Sequence, residues 1–139
     1  MLPQGSGVLA EQAVLPIRIL LVDDSAEFIE SAARFLATDP DLKIVGRAFS
    51  GWQAIEQIEL LHPDLVLADL MMPEMNGLEL TGLIKSRPNP PRVVIVSLYG
   101  IAEYTEAVET ALADGWVAKS MFGATLLELI HRLFARPAV

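Results

Sequence analysis

The sequence predicts an open, doubly wound α/β domain, built on a five-stranded parallel sheet with five helices. Two observations predict it. Short apolar runs alternate along the chain with stretches of helical periodicity. The runs are apolar at successive positions, as in Ile19-Leu20-Leu21-Val22, which suits strands covered on both faces. The 139 residues amount to one domain, and 53% of them are hydrophobic, so a substantial core can form.

The elements follow in order. Residues 1–15 carry Pro, Gly, Ser and Gln with no period and read as a disordered tail ahead of a domain over 16–137. Residues 17–22 form the first strand, which Asp23-Asp24-Ser25 ends; Asp24 or Ser25 can cap the helix that follows. That helix carries Phe28, Ile29, Ala32, Phe35 and Leu36 at helical spacing, and Asp39-Pro40 stops it. The second strand, 43–49, sets Lys43 and Arg47 among apolar residues and suits a sheet edge. Ser50-Gly51-Trp52-Gln53 has capping-box spacing and opens a helix with Ile55, Ile58 and Leu61. The third strand, 64–68, ends at Asp69. A loop over 71–77, punctuated by Pro73 and Asn76-Gly77, leads to a helix reaching about Ser86. A proline-rich loop over 87–92 precedes the fourth strand, 93–96, which ends at Ser97. A helix over 101–113 is ended by Asp114-Gly115. The fifth strand, 116–118, ends at Lys119, and residues 126–134 anchor the last helix.

Several function classes drop out. Without cysteine there are no disulfides, thiolate zinc sites, Fe–S clusters or Cys nucleophiles, which fits a reducing cytosol. Lys and Arg total 10 against 18 Asp and Glu, so the chain lacks the basic footprint of a nucleic-acid binder. The first basic residue is Arg18, so no basic segment opens a signal peptide, and no apolar run approaches a membrane span. The expectation is a soluble cytoplasmic protein with no membrane partner.

In such sheets ligands bind beyond the carboxyl ends of the strands. Four of the five predicted strands deliver chemistry to that edge: Asp23 and Asp24, Asp69, Ser97 and Lys119. Carboxylates gathered there repel; at ~4 Å and an effective dielectric of ~20 one pair costs ~4 kcal/mol. Either a carboxylate takes a proton or a cation sits among them. Oxygen ligands with no His or Cys nearby favour Mg²⁺, with Mn²⁺ as the alternative. With a lysine and a hydroxyl added, the edge can hold a phosphoryl group, and a carboxylate inside it can act as nucleophile. Taken singly, Asp23 and Asp24 could be helix caps, Asp69 a turn former and Lys119 a surface lysine. Their joint placement is what carries the reading.

The ordered set Leu21-Val22-Asp23-Asp24, Asp69-Leu70-Met71-Met72-Pro73-Glu74-Met75-Asn76-Gly77, Ser97 and Trp116-Val117-Ala118-Lys119 resembles the receiver domain of two-component response regulators. Receivers of the helix-turn-helix class that includes the nitrate regulators are most similar. The resemblance implies a flavodoxin-like sheet of order 2-1-3-4-5. It implies that Asp69 accepts a phosphoryl group from a phosphohistidine of a sensor histidine kinase or phosphotransfer protein. Asp24, Asp69 and the Met71 backbone carbonyl would bind Mg²⁺ directly, with Asp23 acting mainly through a metal-bound water. Lys119 would neutralise the transferring oxygens and Ser97 would donate to one of them. Trp116 matches the aromatic switch position, whose inward rotation changes the face made by the fourth helix, fifth strand and last helix. That face would engage a partner or output domain, or a second copy as a homodimer. The protein would then be a phosphoacceptor that assists its own chemistry rather than an enzyme acting on a separate substrate.

Departures from the family pattern also carry expectations. Leu98 stands where a small residue is usual and could narrow access to Asp69. Trp116 is bulky, which suggests partial switching, and Ser120 stands where proline is frequent. Met71 and Tyr99, two residues past Asp69 and Ser97, predict slow self-dephosphorylation. His62 precedes Pro63 and His131 sits on the last helix; neither has a second ligand nearby, which argues against metal binding at either. Met71, Met72 and Met75 could form a docking patch or pack the loop. Glu103, Glu106 and Glu109 read as a solvated acidic face or as partners of Arg132 and Arg136 in a dimer. A phosphorylation-independent binding module is the alternative. A haloacid-dehalogenase-type phosphohydrolase would need a second Asp where Met71 stands, and a Rossmann domain would need a glycine-rich turn where Asp23-Asp24-Ser25 stands.

Overall fold

A computed structural model describes residues 16–98 and 112–135. The chain runs β1 (Ile17–Val22), α1 (Ala26–Leu36), β2 (Leu42–Ala48), α2 (Gly51–Leu61), β3 (Leu65–Asp69), α3 (Gly77–Lys85), β4 (Arg92–Ser97) and β5 (Gly115–Ala118). A 3-10 turn (Lys119–Met121) and α4 (Gly123–Leu133) complete it. All four strand pairings are parallel, and the order is β2-β1-β3-β4-β5, as the resemblance implied. Four α-helices occur among the described residues, not five. The helix expected over 101–113 lies outside them through residue 111, and Leu112, at φ 68°, and Ala113 are not helical.

Alternation along the strands divides the core in two. Leu20, Val22, Val66 and Ala68 face Ala54 and Ile58 of α2 and Leu80 and Ile84 of α3. Ile19, Leu21, Leu65 and Leu67 face Ile29 and Leu36 of α1 and Leu126 and Ile130 of α4. Helices thus cover both faces, so the central strands are apolar on both faces between their ends. The second strand takes the edge, as its interspersed charges predict, and its pairing with β1 slips between Ile19 and Leu20.

Local chemistry sets the helix starts. Ser25, not Asp24, caps α1, its Oγ accepting the Phe28 N–H at 3.2 Å. Ser50 caps α2 by accepting the Gln53 N–H at 3.2 Å. The Gln53 side-chain Oε1 accepts from the N–H of Phe49 rather than of Ser50, so the predicted box closes one residue early. A complete capping box opens α3: Asn76 accepts from the Glu79 N–H, and Glu79 accepts from the Asn76 N–H.

Candidate functional site

The first strand delivers Asp23, which is buried, and Asp24, which is exposed. Asp23 Oδ1 accepts the Ser25 N–H at 2.8 Å, which fixes the carboxylate against the start of α1. Asp69 is the last residue of β3 and is also buried; its Oδ1 accepts the Met71 N–H at 3.3 Å. Ser97 ends β4, buried, one residue past the register partner of Asp69 and level with Ala118. Lys119 opens the turn after β5, and its ammonium reaches back across the edge. Nζ stands 2.8 Å from Asp23 Oδ2 and 3.6 Å from Asp69 Oδ2.

The loop after Asp69 is built to hold that residue still. The Leu70 N–H donates to Val96 O at 2.9 Å, and the Gly77 N–H donates to Leu70 O at 2.9 Å. A Cβ on Gly77 would collide with the backbone carbonyl oxygen of Asp69, so only glycine permits this close return. Met72 and Met75 are buried, which assigns them to loop packing; Met71 is exposed, as are Leu98 and Trp116. Leu98 therefore points its bulk largely into solvent while Ser97 beside it is covered.

The charge balance is uneven. Burial pushes the Asp69 carboxyl up to about 6, and the neighbouring charges of Asp23 and Asp24 add to this. The Lys119 ammonium and the Met71 N–H oppose the rise without cancelling it. Asp23, Asp24 and Asp69 each offer an oxygen within 4.8 Å of the others. Asp23 Oδ2 is buried and receives no hydrogen bond from the described residues, since Lys119 meets it as an ion pair outside hydrogen-bond geometry. Three carboxylates without His or Cys, each with an oxygen within 4.8 Å of the others, fit a hard divalent cation such as Mg²⁺ or Mn²⁺.

Phe28, one of the apolar positions at helical spacing along α1, also meets the site. The Lys119 ammonium lies 4.2 Å from the centre of its ring. Phe122, on the same turn as Lys119, packs edge-on against that ring with centroids 5.4 Å apart. No local signal links α1 to a turn at the far end of the chain. His131 corrects the expectation that it has no second ligand nearby: its Nε2 lies 2.8 Å from Asp39 Oδ2, with Asp41 adjoining. This hydrogen bond holds the Asp39 carboxyl below its usual range and ties α4 to the turn after α1. His62 caps α2 in a left-handed conformation, and its carbonyl accepts from Arg18 Nη1 at 2.7 Å. Tyr99, Glu103, Glu106, Glu109 and Arg136 lie outside the described residues.

Residues 19–131 match the family model described as the response regulator receiver domain. The chain belongs to this family. The receiver is similar to the nitrate/nitrite response regulator protein NarL of Escherichia coli K12, 38% identical over 123 residues, 86% of this chain and 56% of NarL. It is also similar to the transcriptional regulatory protein DegU of Brevibacillus brevis, 32% identical over 82% of this chain and 48% of DegU. The chain thus spans about half the length of these curated relatives. Among solved structures, the response regulator domain of Thermotoga maritima CheB superposes with a TM-score of 0.77 at 30% identity, covering 88% of this receiver and 99% of that chain. A LuxR-family two-component response regulator from Aurantimonas sp. SI85-9A1 gives 0.81 at 28% identity, covering 86% of each. Among the described residues, no helix of this receiver is long and apolar enough to cross a membrane.

Proposed function

We propose that this receiver accepts a phosphoryl group on Asp69 from a phosphohistidine of a sensor histidine kinase or a phosphotransfer protein. The observation that carries this reading is the juxtaposition of Lys119 with two buried carboxylates, one of which, Asp69, accepts the Met71 N–H and is followed by Leu70, whose N–H and carbonyl are both engaged by backbone hydrogen bonds.

In the step itself, an Asp69 carboxylate oxygen forms a bond to phosphorus. The bond from phosphorus to the donor imidazole nitrogen breaks, and its electron pair stays on that nitrogen. Asp69 must be ionised to attack, and the Lys119 ammonium favours that form against the burial that opposes it. Lys119 then balances charge on the transferred oxygens, and the Ser97 hydroxyl donates to one of them. Asp23, Asp24, Asp69 and the Met71 carbonyl are the groups that would hold Mg²⁺, or Mn²⁺. When bound, the ion neutralises phosphoryl oxygens and eases in-line displacement. The product is a covalent charge on the chain itself, so the receiver is a phosphoacceptor rather than an enzyme with a separate substrate.

The Ser97 hydroxyl donates to the new charge, and Trp116 rotates inward. This alters the face that includes β5 and α4, which controls a partner, an output domain or a second receiver. The net charge of −8 speaks against direct nucleic-acid binding by this chain.

The test is intact mass after incubation with Mg²⁺ and a small phosphodonor, on wild type and Asp69→Asn. Gain of one phosphoryl group in the wild type alone is the expected result. No gain in either protein overturns the reading in favour of a phosphorylation-independent binding module.

A further inference from the structure

We infer that Phe28 is a positioning residue for Lys119, the surface against which the ammonium is held in place. The contacts form a closed circuit that begins and ends on Asp23. Asp23 Oδ1 accepts the Ser25 N–H at 2.8 Å, and Ser25 Oγ accepts the Phe28 N–H at 3.2 Å. The Phe28 ring carries the Lys119 ammonium 4.2 Å from its centre, and that ammonium stands 2.8 Å from Asp23 Oδ2. One carboxylate thus fixes both the backbone that aims the ring and the cation lying on it.

The ring does something the carboxylates cannot. A lysine has a long stem with many rotamers, so ordering its ammonium costs conformational entropy. Asp23 and Asp69 can hold it only while their charges are free to do so. Both belong to the set that fits a divalent cation, and Asp69 is the proposed acceptor. The negative face of an aromatic ring attracts a cation whatever the carboxylates are bonded to. Phe122 reinforces the arrangement. It follows Lys119 on one short turn, its N–H donates to Lys119 O at 3.3 Å, and its ring meets Phe28 edge-on with an interplanar angle of 79°. The turn therefore grips Phe28 twice, once by Phe122 against the ring and once by the ammonium over its face. Packing alone would ask only for apolar volume at position 28. The partly exposed ring under a lysine that is 15% exposed asks for an aromatic.

The consequence for phosphorylation rests on the function proposed above, while the geometry does not, and the experiment separates the two. The sequence holds three lysines, Lys43, Lys85 and Lys119, so ¹³C-lysine labelling gives three sets of side-chain signals, with Lys119→Arg assigning one. In the metal-free protein the Lys119 ε-methylene protons are expected upfield of the other two, shifted by the ring current. The shift is expected to be lost in Phe28→Leu and kept in Phe28→Tyr. Phosphorylation by acetyl phosphate with Mg²⁺, read by intact mass, is expected to slow by about 2- to 30-fold in Phe28→Leu and by less than about 2-fold in Phe28→Tyr, the span a cation–π contact supplies. An unshifted Lys119 in the wild type, or a shift that survives Phe28→Leu, overturns the inference. So does equal slowing of the Leu and Tyr variants in step with equal losses of thermal stability, which would mean packing alone. If the wild type takes no phosphoryl group, the proposed function fails, and the lysine spectrum still decides the role of Phe28.

Discussion

Lys119 Nζ lies 0.8 Å nearer to Asp23 than to Asp69, at 2.8 Å against 3.6 Å, so one ammonium is shared unequally between two buried carboxylates. Asp69 is the poorly served partner, and burial with the neighbouring charge of Asp23 raises its carboxyl to about 6. The sign of the linkage follows. A folded-state pKa raised above the unfolded value of ~3.9 favours folding with the proton on, an advantage complete below about pH 4 and lost as pH rises through about 6. Above that, ionised Asp69 opposes folding. In the absence of divalent cations, Asp69→Asn is expected to stabilise the protein at about pH 7.5 by on the order of 1–3 kcal/mol. The gain should shrink toward zero near pH 4. Urea denaturation of both proteins at the two pH values measures it, and a variant no more stable than wild type at the higher pH contradicts the prediction.

Two glycines of α3 separate a structural requirement from a helix weakness. A Cβ at Gly77 would meet the Asp69 carbonyl, whereas a Cβ at Gly82 finds nothing within 4 Å. Gly82→Ala is therefore expected to stabilise the protein by up to about 1 kcal/mol through helix propensity alone. Gly77→Ala forces the end of β3 to shift and is expected to cost about 1–3 kcal/mol, as overpacking does, and to slow phosphorylation. Melting temperatures of the two variants should move in opposite directions. A shared direction would mean that the close return of the loop onto Asp69 is not what Gly77 provides.

The proposed switch can be watched through tryptophan. The chain has two tryptophans, Trp52 and Trp116, and both are exposed, at 61% and 44%. In a Trp52→Phe background only Trp116 emits. Inward rotation on phosphorylation should shift its emission to shorter wavelength, and Asp69→Asn should abolish the shift. A phosphorylated protein with unchanged emission would show that Trp116 keeps its exposed position, and that any change at this face leaves the indole where it is.

Much of this architecture was legible because it depends on local residue types. The run Ile17 to Val22, apolar except for Arg18, matches β1 at both ends, and Lys43 and Arg47 mark the second strand for the edge. The site residues were legible by position, since Asp23, Asp69, Ser97 and Lys119 each end or follow a strand. What escaped were contacts between residues far apart in sequence: Phe28 beneath Lys119, His131 on Asp39, and Lys85 on Asp114. Periodicity reports which face a residue takes, not which distant side chain meets it there. Cap choices also escaped, because Asp24 and Ser25 are both good N-caps and only backbone conformation selects Ser25.

Asp114 appeared in the sequence only as a helix terminator, yet it clamps the start of β5 to β4. Its Oδ2 accepts the Lys85 ammonium at 2.7 Å and the Val93 N–H at 2.8 Å, while its own N–H donates to Val93 O at 2.8 Å. Arg92 Nη1 adds a long contact to Oδ1 at 3.4 Å. Burial pushes the Asp114 carboxyl up, but these hydrogen bonds and the charges of Lys85 and Arg92 outweigh it and hold it below the usual range. A depressed folded pKa contributes stability that is present above the unfolded value of ~3.9 and is lost as pH falls through the folded one. Asp114→Asn keeps an acceptor for Val93 but forfeits the charge, and is expected to cost about 1–2 kcal/mol near pH 7. That cost should fade as pH drops below the unfolded value. The effect reaches the site, because β5 has four residues and Lys119 follows it directly. Hydrogen exchange at the Val93 and Val117 amides should quicken in Asp114→Asn near pH 7. Exchange that stays at the wild-type rate would mean that β5 is held by its strand pairing alone, without the carboxylate at its start.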